Sequence, residues 1–134
     1  MKSVFIDTSF VIAMFTPEDN HHKKAALIAR DLFDYQKIWI TDAVLYEIGN
    51  AFVKSNKEIV AEFIQDCYNT DQIKVVKTDE SLLFRALERY ATYLDKDWSL
   101  TDCISFEVMI EYGIDKAYSS DHHFEQAGFQ CMLR

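Results

Sequence analysis

The sequence has 134 residues, is 49% hydrophobic and 14% aromatic, and carries a formal net charge of −8 at pH 7. This length and apolar content suit one compact domain spanning residues 1–134, and three glycines and one proline leave no room for a flexible linker or a low-complexity segment. The negative charge speaks against a generic nucleic-acid binder, which needs a Lys/Arg surplus to neutralise phosphates, unless cations held by carboxylates reverse the local field.

No apolar run approaches the roughly 18 residues of a membrane span, and Met1-Lys2-Ser3 carries no leader of signal-peptide form. A soluble, cytoplasmic protein with no membrane partner is therefore expected. Cys67, Cys103 and Cys131 are odd in number, widely spaced and set among apolar residues, so they read as reduced core residues rather than disulfides or zinc ligands.

The first strand, Ser3 to Ser9, runs three apolar residues into Asp7, Thr8 and Ser9. In open α/β sheets ligands bind beyond the carboxyl ends of the strands, so an acid at the end of strand one is a site candidate. It is equally suited to N-cap the next helix. Phe10 to Phe15 reads as a short helix or turn closed by Thr16-Pro17. Thr16 as N-cap and Pro17 at the first helical position then predict a helix to about Tyr35, with Ala25, Ala26, Ile28, Ala29, Leu32 and Phe33 inward. His21 and His22, adjacent on that helix, do not share a face and read as solvated.

Ile38-Trp39-Ile40 is strand two, followed at Thr41-Asp42 by a helix reaching Ser55, with Ala43, Val44, Ile48, Ala51 and Phe52 inward. Glu47 falls three residues after Val44 and four before Ala51, within or beside that face. It is either a site acid or a rim residue pointing to water. Asn56 to Asn69 forms an amphipathic helix with Ile59, Val60, Phe63, Ile64 and Cys67 inside. Ile73 to Thr78 is strand three, and Thr78 or Asp79 caps a helix running to about Leu94, striped by Leu82, Leu83, Ala86, Leu87, Tyr90 and Leu94.

Cys103 to Tyr112 is apolar on most sides and reads as a buried helix ending at Gly113. With Ser99 as N-cap, Asp102 takes the third helical position. There it either closes a capping box or faces the cleft. Lys116 to Ser120 is strand four, ending in Asp121 as strand one ends in Asp7. Phe124 to Gly128 is one helical turn, and Phe129 to Leu133 a last strand. His122 and His123 stand beside Asp121, where substrate contact, capping and solvation all account for them.

Strands alternating with helices predict an α/β fold, a mainly parallel sheet of about five strands covered on both faces with its strand ends opening on one side. Asp7, Asp102 and Asp121 then share that edge, and Glu47 leans over it. Four carboxylates in one cleft repel unless divalent cations sit among them. Oxygen donors without a His/Cys cluster suit Mg²⁺ or Mn²⁺.

Asp7-Thr8-Ser9, Glu47, Ser99-Leu100-Thr101-Asp102 and Ser120-Asp121-His122-His123-Phe124, in this order and spacing, resemble the PIN domain, and more narrowly the VapC-type toxin ribonucleases of prokaryotic toxin–antitoxin pairs. The resemblance covers the whole chain. It implies a three-layer α/β/α sandwich and metal-dependent cleavage of RNA, with Asp7, Glu47, Asp102 and Asp121 holding one or two Mg²⁺ or Mn²⁺ ions and Thr8, Ser9 and Thr101 orienting them. It also implies a homodimer and a cognate antitoxin, for which the helices Asp42 to Ser55 and Asn56 to Asn69 would form the groove. Lys23, Lys24, Lys54, Lys57 and Arg89 are the candidate phosphate contacts. Setting the four acids aside leaves 18 acids against 14 bases, a net charge of −4, which favours either weak RNA affinity or recognition of one structured RNA over broad nuclease activity.

Two other acid-bearing α/β families fit less well. A haloacid dehalogenase needs a second Asp two residues after the first, where Ser9 stands. A receiver domain needs an early acid pair, a phosphoacceptor after the third strand and a late strand-end Lys, and here strand three ends in Thr78-Asp79 and strand four in Ser119-Ser120-Asp121, neither of which fits. From a different class, a PIN-fold protein acting mainly through protein binding is the alternative.

Overall fold

A computed structural model describes residues 2–134. Five strands form one sheet in the order β3-β2-β1-β4-β5: β1 (Ser3–Ile6), β2 (Lys37–Thr41), β3 (Ile73–Val76), β4 (Lys116–Tyr118) and β5 (Gln130–Cys131). Every pairing among the described residues is parallel. A parallel neighbour demands a crossover, and the helices supply it: α1 (Thr8–Phe15), α2 (His22–Ala29), α3 (Asp42–Ala51), α4 (Lys57–Asn69), α5 (Glu80–Thr92), α6 (Leu100–Glu111) and α7 (His122–Gln126).

Period-two alternation sends β-strand side chains to two separate cores. Ile6, Ile38, Ile40 and Ile73 meet Phe10 of α1 and Phe63 and Cys67 of α4 on one face. On the other, Phe5 lies 6.2 Å from Phe124 of α7, which makes an edge contact with Phe106 of α6. Strand β1 is fully internal and pairs with β2 and β4 on its two sides. From β1 the chain first builds outward to β2 and β3 and then returns to place β4 on the opposite side. The carboxyl ends of β1 and β4 therefore flank the switch point of the topology, where open α/β sheets bind ligands.

Several elements are shorter than their sequence patterns predict. Strand one stops at Ile6, because Asp7 already caps α1 through the Ser9 amide. The helix expected over Pro17 to Tyr35 is only α2, His22–Ala29, followed by a 3₁₀ turn at Leu32–Asp34. Asp19 accepts the His21 amide at 2.8 Å, an Asx turn that holds Pro17 to His21 out of the helix and displaces the Thr16-Pro17 start. The last strand contracts to Gln130–Cys131. Phe33, Ala51, Ile59, Leu87, Tyr90 and Leu94, all expected inside, are exposed, so the helical stripes overran the faces that the sheet can cover. All three cysteines are free and buried, as expected. No described helix is long and apolar enough to cross a membrane.

Candidate active site

The site grows from the register of β1 and β4. Ile6 pairs with Tyr118, and the Asp7 amide donates to the Tyr118 carbonyl at 3.2 Å, so Asp7 and Ser119 leave adjacent strand ends side by side. Both are buried, at 5% and 0% exposure. Asp7 Oδ2 accepts from Ser9 Oγ at 2.7 Å and from Ser119 Oγ at 2.8 Å. Ser9 Oγ in turn accepts the Ser120 amide, and Ser119 Oγ the Asp121 amide, both at 3.0 Å. Two serines thus tie the end of β1 to the loop that carries Asp121.

Asp102 arrives from α6. Ser99 Oγ accepts the Asp102 amide at 3.0 Å, and Asp102 Oδ2 accepts the Ser99 amide at 3.1 Å, a full capping box. The box and the cleft are not alternatives here. By using Oδ2 as the cap, the helix start holds the carboxylate at the cleft while Oδ1 takes no protein donor. Asp121 behaves alike, its Oδ1 capping α7 through the His123 amide at 2.9 Å. Asp7, Asp102 and Asp121 each anchor one oxygen and leave the other without a hydrogen-bond donor among the described residues.

The electrostatics follow from this crowding. Burial pushes the Asp7 carboxyl up to about 6, overriding the bonds from Ser9 and Ser119, and the charges of Asp102 and Asp121 add to the rise. Burial also raises Asp102, opposed by the Ser99 amide and by His123 and reinforced by Asp121. Desolvation and like charge both disfavour the ionised state.

His123 is the residue sequence reasoning left undecided. Its Nδ1 lies 3.0 Å from Asp121 Oδ1 and 3.4 Å from Asp102 Oδ2, yet that atom is buried and makes no hydrogen bond. His122, more exposed, stacks obliquely on it with ring centroids 4.3 Å apart. One ligand atom from each of Asp121, His122 and His123 falls within 4.8 Å of the others. Ser119 is the residue sequence reasoning missed. The only signal for it was a hydroxyl between a buried strand and an acid.

The side chains of the remaining candidates take no part in these hydrogen bonds. Glu47 is exposed on α3 and makes no hydrogen bond or ion pair among the described residues. Thr8 Oγ1 is buried without a partner, and Thr101 enters hydrogen bonding only through its carbonyl, which accepts from Ser105 Oγ at 3.0 Å. Of the candidate phosphate contacts, Arg89 is committed to Glu107 at 2.6 Å, whereas Lys23, Lys54 and Lys57 are exposed. The Nζ of Lys24 reaches the Arg134 carbonyl at 3.2 Å.

Comparisons with known proteins bear on the family and the fold. Residues 4–130 match the family model described as the PIN domain. The fold is similar to the crystal structure of VapC20 from Mycobacterium tuberculosis, described as a sarcin-ricin loop cleaving toxin, with a TM-score of 0.83 and 25% identity over 94% of this chain and 95% of that one. It is also similar in fold to VapBC2 from Rickettsia felis, solved bound to a DNA fragment from its promoter, with a TM-score of 0.61, 16% identity and 96% of each chain covered. No curated protein sequence matches.

Proposed function

The chain belongs to the PIN domain family, and from that premise we propose that it is a metal-dependent endoribonuclease, the toxin of a toxin–antitoxin pair. The observation that carries this reading is the convergence of Asp7, Asp102 and Asp121 at the switch point, each with one oxygen tied to the protein and one left free. Such an arrangement costs stability in the metal-free protein and gains it back when a cation is shared. The donor set fits a divalent ion, since the free groups are hard carboxylate oxygens.

Asp7, Asp102 and Asp121 would hold the ion or ions, with Glu47 as the fourth acid. A bound Mg²⁺ or Mn²⁺ supplies Lewis-acid polarisation of a phosphoryl oxygen and a lowered pKa for a water molecule. Ser9 and Ser119 hold Asp7 through Oδ2, which restrains its rotation and leaves Oδ1 without a donor. The Ser99 box does the same for Asp102. Asp121, on the loop before α7 and the more exposed of the three, is the acid placed to orient an attacking water. Exposed Lys54 and Lys57 are the candidate phosphate contacts; the acidic remainder of the surface favours one structured RNA. The likeness to VapC20 makes a sarcin-ricin loop oligonucleotide the first substrate to offer.

A protein partner is favoured by a second observation. Tyr46, Val53, Ile59 and Tyr68, on and around α3 and α4, are all more than half exposed, on the two helices expected to form the antitoxin groove. We infer that a cognate antitoxin or a second copy of the chain covers this surface, as one domain of residues 1–134 acting in the cytoplasm.

The test is cleavage of labelled sarcin-ricin loop RNA, tRNA and a mixed oligoribonucleotide with Mg²⁺, with Mn²⁺ and with EDTA. Cutting that needs the metal and disappears in both Asp7→Asn and Asp102→Asn is the expected result. Equal trace activity in wild type and variants would mark the cutting as contamination and reject the reading.

A further inference from the structure

His123 poses a question that capping does not answer. Its backbone amide serves the cap of α7, while its ring turns Nδ1 into the acidic cleft, 3.0 Å from Asp121 Oδ1 and 3.4 Å from Asp102 Oδ2. An imidazole nitrogen this close to two carboxylates normally makes a hydrogen bond to one of them. Here it makes none, although the atom is sealed from solvent, and an unpaired buried nitrogen is a cost the fold has reason to avoid.

The spacing suggests what the nitrogen faces. Donors in neighbouring positions around an octahedral ion, with bonds of about 2.0–2.2 Å, stand about 3 Å from one another without pointing at one another. Asp121 offers its donor-free Oδ2 to a cation, and Oδ1, which accepts one amide, retains a second lone pair. We propose that His123 Nδ1 is a metal ligand of this site, forming with Asp121 a nitrogen and carboxylate donor pair that takes a first-row transition-metal dication in preference to Mg²⁺. The inference rests on the metal-site reading above. Imidazole suits the later dications, which bind nitrogen well, whereas Mg²⁺ keeps to oxygen. His122 belongs to the same cluster, but with its side chain 56% exposed it is open to water and is assigned no ligand role.

Titration calorimetry of the full chain with Mg²⁺, Mn²⁺ and Co²⁺ tests this, using wild type, His123→Asn, His122→Asn and Asp102→Asn. Wild type is expected to bind Co²⁺ and Mn²⁺ more tightly than Mg²⁺. His123→Asn should lose on the order of 10–100-fold in Co²⁺ affinity and keep its Mg²⁺ affinity, and His122→Asn should resemble wild type. An equal loss for all three ions in His123→Asn would make His123 a positioning residue for the carboxylates, and no loss would make it a spectator; either overturns the proposal. Asp102→Asn separates the two levels of inference. If it binds all ions as wild type does, the metal-site reading itself fails. Should His123→Asn not fold, histidine ¹⁵N NMR of wild type with Zn²⁺ decides: a metal-dependent shift of the His123 Nδ1 resonance supports ligation, and its absence overturns it.

Discussion

Two neighbouring strand ends use the same local device for different ends. At the β1–α1 junction Asp7 caps a helix, and at the β2–α3 junction Thr41 caps one through the Val44 amide at 3.1 Å, with Asp42 following. Asp42 accepts from the Ala43 amide and from the Thr78 hydroxyl on Oδ1, and from the Thr78 amide on Oδ2. Both of its oxygens are taken, and it staples the end of β3 to the start of α3. Asp7 receives all its donors on Oδ2 and faces two further acids. What separates the structural Asp42 from the candidate site residue Asp7 is therefore the second oxygen, the charge of the neighbours and the deeper burial of Asp7, not position at a strand end.

The sharpest way to break the comparison is to neutralise each acid in turn. Asp7→Asn should reduce RNA cleavage by more than the roughly 100-fold that marks loss of an outer-shell partner. It should also raise the melting temperature of the metal-free protein at neutral pH, because a buried charge that repels its neighbours is removed. A variant that loses stability while its folded fraction keeps cleaving would show Asp7 to be a staple like Asp42.

Metal addition asks the same question without a large change in structure. At a hundred times its dissociation constant, Mn²⁺ should stabilise wild type by about 2.7 kcal/mol, read as a rise in melting temperature that EDTA reverses. Asp42→Asn should show the same rise and Asp7→Asn should not.

Ser119→Ala sharpens the contrast from the supporting side. It removes the bond to Asp7 and the one to the Asp121 amide, and an activity loss on the order of 10–100-fold is expected, with metal affinity falling in parallel. Unchanged metal affinity would mean that Asp7 is held by Ser9 alone.

Asp42→Asn is expected to leave cleavage unchanged and to cost about 1.5 kcal/mol in denaturant unfolding, the scale of a hydrogen bond to a charged group. The smallest effect belongs to Asp79→Ala, which deletes the 2.8 Å cap to the Leu82 amide of α5 for about 1 kcal/mol of stability. A change in metal affinity in either variant would blur the line between staples and ligands.

Much of this was readable in the sequence because it is local. Strand alternation, helical stripes and the caps at Asp7, Ser99, Asp79 and Asp121 depend on residues a few positions apart, and they sufficed for the parallel α/β architecture and for three aspartates on one edge. The stripes also misled, since Ile59, Leu87 and Tyr90 have the right period but no sheet or helix to meet them. The sequence reading could not tell a saturated acid from an available one, nor decide between the cap and cleft roles of Asp102, which coexist. Ser119 and the cleft-facing ring of His123 also came only with the fold. Asp7 and Ser119 are 112 positions apart, so their bond exists only after β4 inserts beside β1. Burial, shared donors and like-charge fields arise when distant segments meet, and these are the quantities that turn a helix-capping aspartate into a candidate ligand.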